Sequence, residues 1–176
     1  SLKEGEEDWS ALQAEYREYG MRRSLQLVLI AHAHGHPHLL LFQEAGGRVS
    51  LPGGPLHPQE GEAEALQRIL HHNLRLPDDM KYKWQVDECL ACWWRPGYDQ
   101  RMYPYCPVHV SQPREQVRVM LVRMPVGVEF RMPMGRRLLA VPLCDLRAEG
   151  AEGRFGQLIA SLPHLLSRYH FITLTQ

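Results

Sequence analysis

The residues whose types and spacing best fit a chemical site lie between Leu51 and Arg68. Gly54, within a Leu-Pro-Gly-Gly-Pro stretch, is followed after five residues by Glu60, and after seven more by Arg68. A glycine loop that leads into a helix can hold a phosphoanhydride substrate together with divalent cations, provided that further carboxylates follow on the helix. The loop and the start of the helix are therefore present, and the question is whether the carboxylates follow.

The helix positions that would bind the cations carry other residues. Mg²⁺ and Mn²⁺ take oxygen ligands, preferably anionic ones, but Ile69, His72 and Asn73 stand directly after Arg68 and one turn later. Ile69 offers no ligand, Asn73 one neutral carbonyl, and His72 is a poor ligand for Mg²⁺. Zinc held by His71 and His72 is the alternative, although adjacent helical residues point roughly 100° apart. We expect no hydrolysis, no bound metal and no other cofactor.

Two further groups have metal-ligand residue types. Cys89 and Cys92 form a C-x-x-C, but no second pair follows at the spacing of a zinc site. Residues three apart on a strand face opposite sides, which favours buried, reduced thiols. Four histidines alternate between positions 32 and 38, and an intervening glycine and proline predict that they divide across an exposed hairpin tip rather than bind a metal.

Length and composition describe an ordinary globular chain. It has 176 residues, 44% hydrophobic and 23% charged, and a formal net charge of +0. No apolar run approaches the roughly 18 residues that span a bilayer, and the first residues do not begin a signal peptide. We expect a soluble intracellular protein, unless Ser1 follows a leader. A neutral chain also lacks the charge of a strong nonspecific nucleic-acid binder.

The hydrophobic periodicity predicts an α/β (α+β) fold with a mixed sheet. Residues 1–20 are expected to contain an N-terminal helix, from about Lys3 to Tyr19, and residues 21–176 a single domain. The predicted strands are Ser24 to His32, His38 to Gln43, Tyr82 to Trp94, Gln116 to Met124 and Arg137 to Pro142. The predicted helices are Glu60 to Leu74, with a buried stripe of Ala63, Leu66, Ile69, Leu70 and Leu74, and Gly156 to Arg168.

A locally basic segment, Arg131 to Arg137, lies between the last two predicted strands. Its three arginines are Arg131, Arg136 and Arg137, and two methionines, a proline and a glycine lie between the first and the second. Such a segment can contact phosphates, and an ordinary solvated loop explains the same residues equally well. The sequence leaves both interpretations open.

Several blocks of the chain together resemble one known family. The glycine loop and its helix resemble the Nudix box, G-x5-E-x7-R-E-U-x-E-E-x-G-U, without its glutamates and with Arg75 at its last glycine. The more specific blocks, in order, are Gly20–Arg23, Pro37–Leu41, Leu51–Gly54, Cys92–Pro96, Tyr103–Tyr105 and Ser161–Ile172. This pattern resembles the small Nudix-fold subunit of pre-mRNA cleavage factor Im over nearly all of residues 20–172.

The resemblance implies a Nudix fold, in which a mixed sheet lies between helices, with an extra N-terminal helix. It implies a nuclear, non-catalytic protein that forms a homodimer and acts in mRNA 3′-end processing and polyadenylation. The partners that it implies are a short UGUA-type RNA and a larger subunit with an RNA-recognition-motif domain. A pocket without metal ligands can still accept a base through stacking and edge hydrogen bonds.

Five positions match the RNA-contacting residues of the family. Leu51 supplies main-chain contacts, and Phe155-Gly156 stands where the family has Tyr-Gly. Gln26 replaces a base-reading carboxylate, and its amide can both donate and accept. Arg48 replaces a stacking phenylalanine, and its guanidinium can stack on a base. The alternative is that Gln26, Arg48 and Phe155 are ordinary surface and edge residues.

Three positions match the surface that the family uses to bind its larger subunit: Tyr103, Tyr105 and Leu165. Tyrosine suits interfaces because it offers a large area with few rotors, although a Tyr-Pro-Tyr loop also often packs on its own domain. Two rival functions remain. One is a Nudix-type protein that binds or hydrolyses nucleotides or dinucleoside polyphosphates, and the other is a protein-interaction scaffold that does not bind RNA.

Overall fold

The computed structural model of the protein describes residues 8–77, 79, 83–149 and 154–172. The helices in this part of the chain are α1 (Ser10–Tyr19), α2 (Glu62–Leu74), α3 (Leu143–Glu149) and α4 (Gly156–Leu166). The strands are β1 (Arg22–Val28), β2 (Ile30–Ala33), β3 (His36–Glu44), β4 (Val49–Ser50), β5 (Gly53–Pro55), β6 (Gln85–Arg95), β7 (Glu115–Arg123) and β8 (Arg136–Pro142). Within these residues, no helix is long and apolar enough to cross a membrane.

The strands form two sheets of four strands each. The first has the order β5-β1-β7-β6, in which β1 and β7 are parallel and the other pairs are antiparallel. The second has the order β2-β3-β4, with β8 also paired to β3, and all of its pairs are antiparallel. The predicted mixed sheet is therefore confirmed, although its strands divide into two sheets.

Side chains from both sheets alternate between two hydrophobic cores on opposite faces. On β7, Val119 and Leu121 join a core that includes the buried residues of α3 and α4, which we call the α4-side core. Met120 and Val122 join a second core with α2, which we call the α2-side core. Helices thus cover both faces of the strand layer, as predicted, and each strand residue can be assigned to a face by its position.

One predicted strand, Ser24 to His32, is in fact two strands. β1 ends at Val28, and β2 begins at Ile30 and pairs in the second sheet. Leu29 lies between them, fully buried, and its carbonyl accepts a hydrogen bond of 3.0 Å from the amide of Leu40. The chain therefore passes from one sheet to the other at Leu29, at a point where the apolar sequence shows no interruption.

The helix after the glycine loop begins two residues later than predicted, at Glu62. Leu66, Ile69, Leu70 and Leu74 are buried as expected, but Ala63 is exposed and Ala65 takes its place in the core. Asn73 is also buried, at 4% exposure. The helix ends at Arg75, whose left-handed conformation (φ 46°) stands where the resemblance has a glycine.

Helix α1 packs on the domain through aromatic rings and guanidinium groups. The guanidinium of Arg95 lies 4.7 Å from the ring of Trp9, and that of Arg114 lies 4.2 Å from the ring of Tyr16. Leu12, which belongs to this helix, is buried. These contacts confirm the predicted amphipathic helix for Ser10–Tyr19, while residues 3–7 of that prediction lie outside the described residues.

The remaining boundaries differ little from the predictions. The predicted start of the long strand at Tyr82 lies outside the described residues, and β6 runs from Gln85. The short strands β4 and β5 and the seven-residue helix α3 were not predicted. They are short elements, and no hydrophobic period can be recognised over so few residues.

Candidate functional site

The glycine loop is held against α2 by an ion pair between Glu60 and Arg68. The Arg68 Nε and Nη2 atoms each donate to a Glu60 carboxylate oxygen at 2.8 Å, and Nη2 also donates to the carbonyl of Pro55 at 2.8 Å. The backbone amide of His57 donates to the same carboxylate at 2.8 Å. Two-pronged pairing of this kind fixes orientation as well as distance.

These contacts also determine the protonation of the loop. The hydrogen bonds from Arg68, opposed in part by burial and assisted by the His57 amide, lower the pKa of Glu60 from 4.5 to about 2. The carboxylate is therefore ionised at any pH near neutrality. Three donors of this chain bind the carboxylate, so Glu60 acts in the structure as a clamp on the loop.

Gly53 brings the loop into close contact with β1. It pairs with Gln26, and a Cβ atom at Gly53 would lie 2.3 Å from the carbonyl oxygen of Leu25 and 2.9 Å from the side-chain oxygen of Gln26. No side chain fits there, so this position requires glycine for space. The side-chain amide of Gln26 therefore lies against Gly53, the residue that follows Leu51 and Pro52 in the loop.

The three positions that would carry metal ligands have different surroundings. Ile69 is buried in the α2-side core, and His72 is exposed. The amide nitrogen of Asn73 donates to the Ile69 carbonyl at 2.8 Å and lies 3.4 Å from the Gly53 carbonyl, so its donors are already used within the chain. The side-chain oxygen of Asn73 accepts a hydrogen bond from a residue of another element.

The donor to the Asn73 oxygen is a cation, the guanidinium of Arg136 on β8. Its Nη1 donates to the Asn73 oxygen at 3.2 Å, and its Nε pairs with the Glu44 carboxylate at 2.7 Å. The same guanidinium lies 5.7 Å from the ring of Phe42. A fixed positive charge beside the Asn73 oxygen repels a divalent cation from that atom. Across the described residues, no three His, Cys, Asp or Glu side chains are grouped so that they could hold a metal ion.

Sequence reasoning did not identify Arg136 as part of this centre. The signal was present, because Arg136 belongs to the basic segment between the last two predicted strands. Its role depends on β8 pairing with β3, which sets Arg136 opposite Glu44. Pairing between strands more than ninety residues apart in the chain cannot be read from local spacing.

Three of the predicted RNA-contacting residues, Gln26, Leu51 and Phe155, lie on the α4 side of the strand layer. Leu51 and Phe155 are both buried in the α4-side core. Gln26 alternates with Leu25 and Leu27, which belong to the α2-side core, so its partly exposed side chain faces the same side as Leu51 and Phe155. The phenyl ring of Phe155 is only 5% exposed. It packs in the same core as Leu51 and would have to move before it could stack on a base.

Gly156 and Arg48 lie apart from these residues. Gly156 is exposed at the start of α4 with φ of 75°. Arg48 is exposed in the turn between β3 and β4, where its carbonyl accepts a hydrogen bond of 2.9 Å from the amide of Glu44. Arg154 was not anticipated, and its guanidinium lies 4.6 Å from the Phe155 ring. We call the surface formed by Gln26, the Leu51 main chain and Gly156 the α4-side surface, and Arg48 lies beyond its β4 end.

The predicted partner residues lie in two places. Tyr103 pairs with Trp94 through backbone hydrogen bonds of 2.7 and 2.9 Å, and the rings of Tyr103 and Tyr105 are 5.8 Å apart. Both rings line a cleft of about 410 Å³, and Tyr105 is 59% exposed. Leu165, by contrast, is on α4 and packs against the α4-side core. The two tyrosines are thus brought together, and Leu165 is not among the residues that line their cleft.

The two other groups considered as metal sites have different outcomes. The histidines divide across a β2–β3 hairpin that turns at His34 and Gly35, as predicted. The two cysteines do not face opposite sides. Bulges in β6 set Cys89 opposite Met120 and Cys92 opposite Arg118, two residues apart on β7, so both thiols face the α2 side. Burial, together with the Cys89 thiol, raises the pKa of Cys92.

Comparison with known proteins identifies the family. Residues 3–169 match the NUDIX_2 family, described as nucleotide hydrolase. The chain is 40% identical over 166 residues to pre-mRNA cleavage factor Im 25 kDa subunit 2 of Arabidopsis thaliana, covering 91% of this chain and 80% of that protein. This chain belongs to the cleavage factor Im 25 kDa subunit family.

Two further relatives agree with this family. Cleavage factor Im 25 kDa subunit 1 of Arabidopsis thaliana is 37% identical, over 91% of this chain and 72% of that protein. Cleavage and polyadenylation specificity factor subunit 5 of Dictyostelium discoideum is 34% identical, over 93% of this chain and 81% of that protein. The predicted membership of the cleavage factor Im small-subunit family is confirmed.

Solved structures confirm the Nudix fold. A C. elegans Ap4A hydrolase superposes with a TM-score of 0.57 and 16% identity, covering 84% of this chain and 96% of that chain. The Nudix hydrolase RenU of M. smegmatis superposes with a TM-score of 0.57 and 17% identity, covering 89% and 92%. At such identities the likeness is one of fold alone, so the hydrolase names say nothing about the chemistry of this cleavage factor Im relative.

Proposed function

We propose that this chain is a non-catalytic subunit of a nuclear pre-mRNA cleavage factor, which binds RNA and a larger subunit during 3′-end processing and polyadenylation. The observation that carries the proposal is the guanidinium of Arg136 on the side-chain oxygen of Asn73. On the face of α2 that would bind divalent cations, Ile69 is buried and Asn73 contacts the guanidinium of Arg136. The family relationship supports the role in mRNA processing.

The α4-side surface is the proposed place of RNA binding. Gln26 makes no side-chain hydrogen bond to any described residue, so its donor and acceptor are available to a base edge. Gly53 allows the loop main chain to approach closely beside it. Arg48 supplies a positive charge at the edge, where it would stack on a base or meet a phosphate. Recognition of a UGUA-type sequence is proposed from the family resemblance.

The cleft beside Tyr103 and Tyr105 is the proposed contact with the larger subunit. It offers two adjacent aromatic rings with one ring more than half exposed, which is the kind of anchor that dominates protein interfaces. A homodimer would place two RNA-binding surfaces on one particle and raise the avidity for RNAs that carry two sites. Leu165 is proposed to act in the same contact, from α4.

The proposal is tested by fluorescence anisotropy with short RNAs and by a hydrolysis assay. We expect the protein to bind UGUA-containing RNA more tightly than a scrambled RNA, Arg48→Ala to weaken binding, and no phosphate release from Ap4A or ADP-ribose with Mg²⁺. Mg²⁺-dependent hydrolysis that is lost in His72→Ala would refute the non-catalytic role. Equal and negligible binding of both RNAs, with the larger subunit still captured, would leave the scaffold function.

The partner contact has a separate test. Tyr105→Ala should reduce capture of the larger subunit in pull-downs and leave RNA anisotropy unchanged. Tyr19→Ala is a matched control, because Tyr19 is 58% exposed on α1, away from the cleft. Equal capture by both variants would refute the proposed role of the cleft.

A further inference from the structure

The three arginines of the 131–137 segment have different surroundings. The backbone amide of Arg131 donates to the carbonyl of Leu74 at 3.2 Å, which places this residue beside the end of α2. Arg136 contacts Glu44 and Asn73, also on the α2 side. Arg137 is exposed and pairs with no acidic side chain of the described residues. The choice between a phosphate contact and an ordinary solvated loop is therefore a separate one for each arginine.

The strand register places Arg137 on the α4 side. Arg137 lies opposite Gln43 of β3, and Gln43 lies opposite Val49 of β4 on its other side. Val49 packs against the α4-side core, as does Leu139, two residues after Arg137 on the same strand. Residues two apart on a strand face the same side. Arg137, Gln43 and Val49 thus form one row across the end of the second sheet.

This row connects Arg137 to the α4-side surface. Neighbouring strands are about 4.8 Å apart, so Arg137 and Val49 are about 10 Å apart across β3. Leu51, two residues after Val49, belongs to the same core, so the row leads on to the Leu51 main chain. The acidic residue nearest in the register, Glu44, belongs to the opposite face, where it is paired with Arg136. The exposed guanidinium of Arg137 therefore lies across β3 from the segment that leads to Leu51, on the side of the sheet proposed to hold RNA.

We propose that Arg137 binds a backbone phosphate of the single-stranded RNA that lies on the α4-side surface. The RNA would then extend from Gln26 and the Leu51 main chain across β4 and β3 to β8. This inference rests on the proposed function. Because the chain as a whole has a formal net charge of +0, such placed charges, rather than a general positive field, must neutralise the phosphates.

The test compares Arg137→Ala with Arg131→Ala, a matched control from the same segment that is also exposed but lies beside α2. Affinity for a short UGUA-containing RNA is measured by anisotropy over a series of salt concentrations. Arg137→Ala should weaken binding roughly two- to fivefold and make the slope of log K against log salt shallower by about 0.7, the value of one single-strand phosphate contact. Arg131→Ala should change neither quantity, and Arg137→Lys should retain the slope.

Each outcome has one meaning. If the wild-type protein binds RNA and Arg48→Ala weakens it, but Arg137→Ala leaves affinity and slope unchanged, this inference is overturned and the proposed function stands. An equal effect of Arg131→Ala would overturn it too, because the contribution would then be general charge. If the wild-type protein binds no RNA, the proposed function fails and this inference fails with it. Loss of capture of the larger subunit by Arg137→Ala, with RNA affinity unchanged, would assign the residue to an acidic protein surface instead.

Discussion

Neutralising Glu60 tests whether the glycine loop is held by its ion pair with Arg68. The Glu60 pKa falls from 4.5 to about 2 in the folded protein, which corresponds to roughly 3 kcal/mol at about 1.4 kcal/mol for each tenfold change. The Glu60 side chain is only 12% exposed, but that of Arg68 is 35% exposed. Solvent screening therefore reduces the contribution, and we expect Glu60→Gln to lower the free energy of unfolding by about 2 kcal/mol at pH 7.

The pH dependence of this loss follows from the direction of the pKa change. A carboxyl group whose pKa is lowered by folding stabilises the folded state above its unfolded pKa, and the stability is lost as the pH falls towards the folded pKa. The window here runs from about pH 4.5 down to about pH 2. The difference between wild type and Glu60→Gln should be full at pH 7 and should shrink to roughly two-fifths of that value at pH 3.

Urea unfolding at pH 7, 4 and 3 measures this difference directly, and subtracting the variant from the wild type removes the effect of the other carboxylates. Glu64→Gln is the control, because Glu64 is exposed on the first turn of the same helix and glutamine can still accept the capping hydrogen bond. It should change stability by less than about 0.5 kcal/mol. A Glu60→Gln loss below that value, or one that stays constant down to pH 3, would refute the clamp.

Three other perturbations follow from the packing of the same domain. Gly53→Ala places a Cβ atom 2.3 Å from a backbone oxygen and should lower the free energy of unfolding, measured in urea, by about 3 kcal/mol. Gly54→Ala, whose Cβ atom would lie 3.8 Å from its nearest neighbour, should lower it by less than about 1 kcal/mol. Equal losses would contradict the close approach at Gly53. Arg136→Leu should cost about 1–2 kcal/mol, because a buried amide oxygen and a carboxylate lose their donor, and a stability gain would show that the guanidinium is dispensable. Tyr16→Ala removes a ring 4.2 Å from a guanidinium and should speed hydrogen exchange in α1 by a factor of about 2–5, and Tyr19→Ala should not.

The best-predicted part of the chain is the loop with its helix, because spacing there reflects local geometry. Glu60 and Arg68, whose spacing indicated a glycine loop followed by a helix, form an ion pair between the loop and α2. The start of the helix was misplaced because Glu60 looks like a first-turn acid. Its carboxylate pairs with Arg68 instead. The helix begins after it, at Glu62, and the buried alanine is Ala65 rather than Ala63.

The errors came from contacts between distant segments. The break at Leu29 is made by a hydrogen bond from Leu40 and not by a proline or glycine. The opposite orientation predicted for Cys89 and Cys92 assumed a regular strand, and a bulge between them reverses the alternation. The role of Arg136 likewise depends on pairing with β3. Sequence periodicity carries no information on bulges or on which strands become neighbours.

The alternation of side chains along the strands separates two kinds of change. On β3, Phe42 belongs to the face that has lost its cation ligands, while its neighbour Gln43 belongs to the face where nucleic acid is expected to lie. The two faces therefore carry different side chains, and the main chain of Gly53 joins them, because it lies 3.4 Å from the Asn73 amide and pairs with Gln26. A substitution at Asn73 would thus reach the Gln26 side through this glycine.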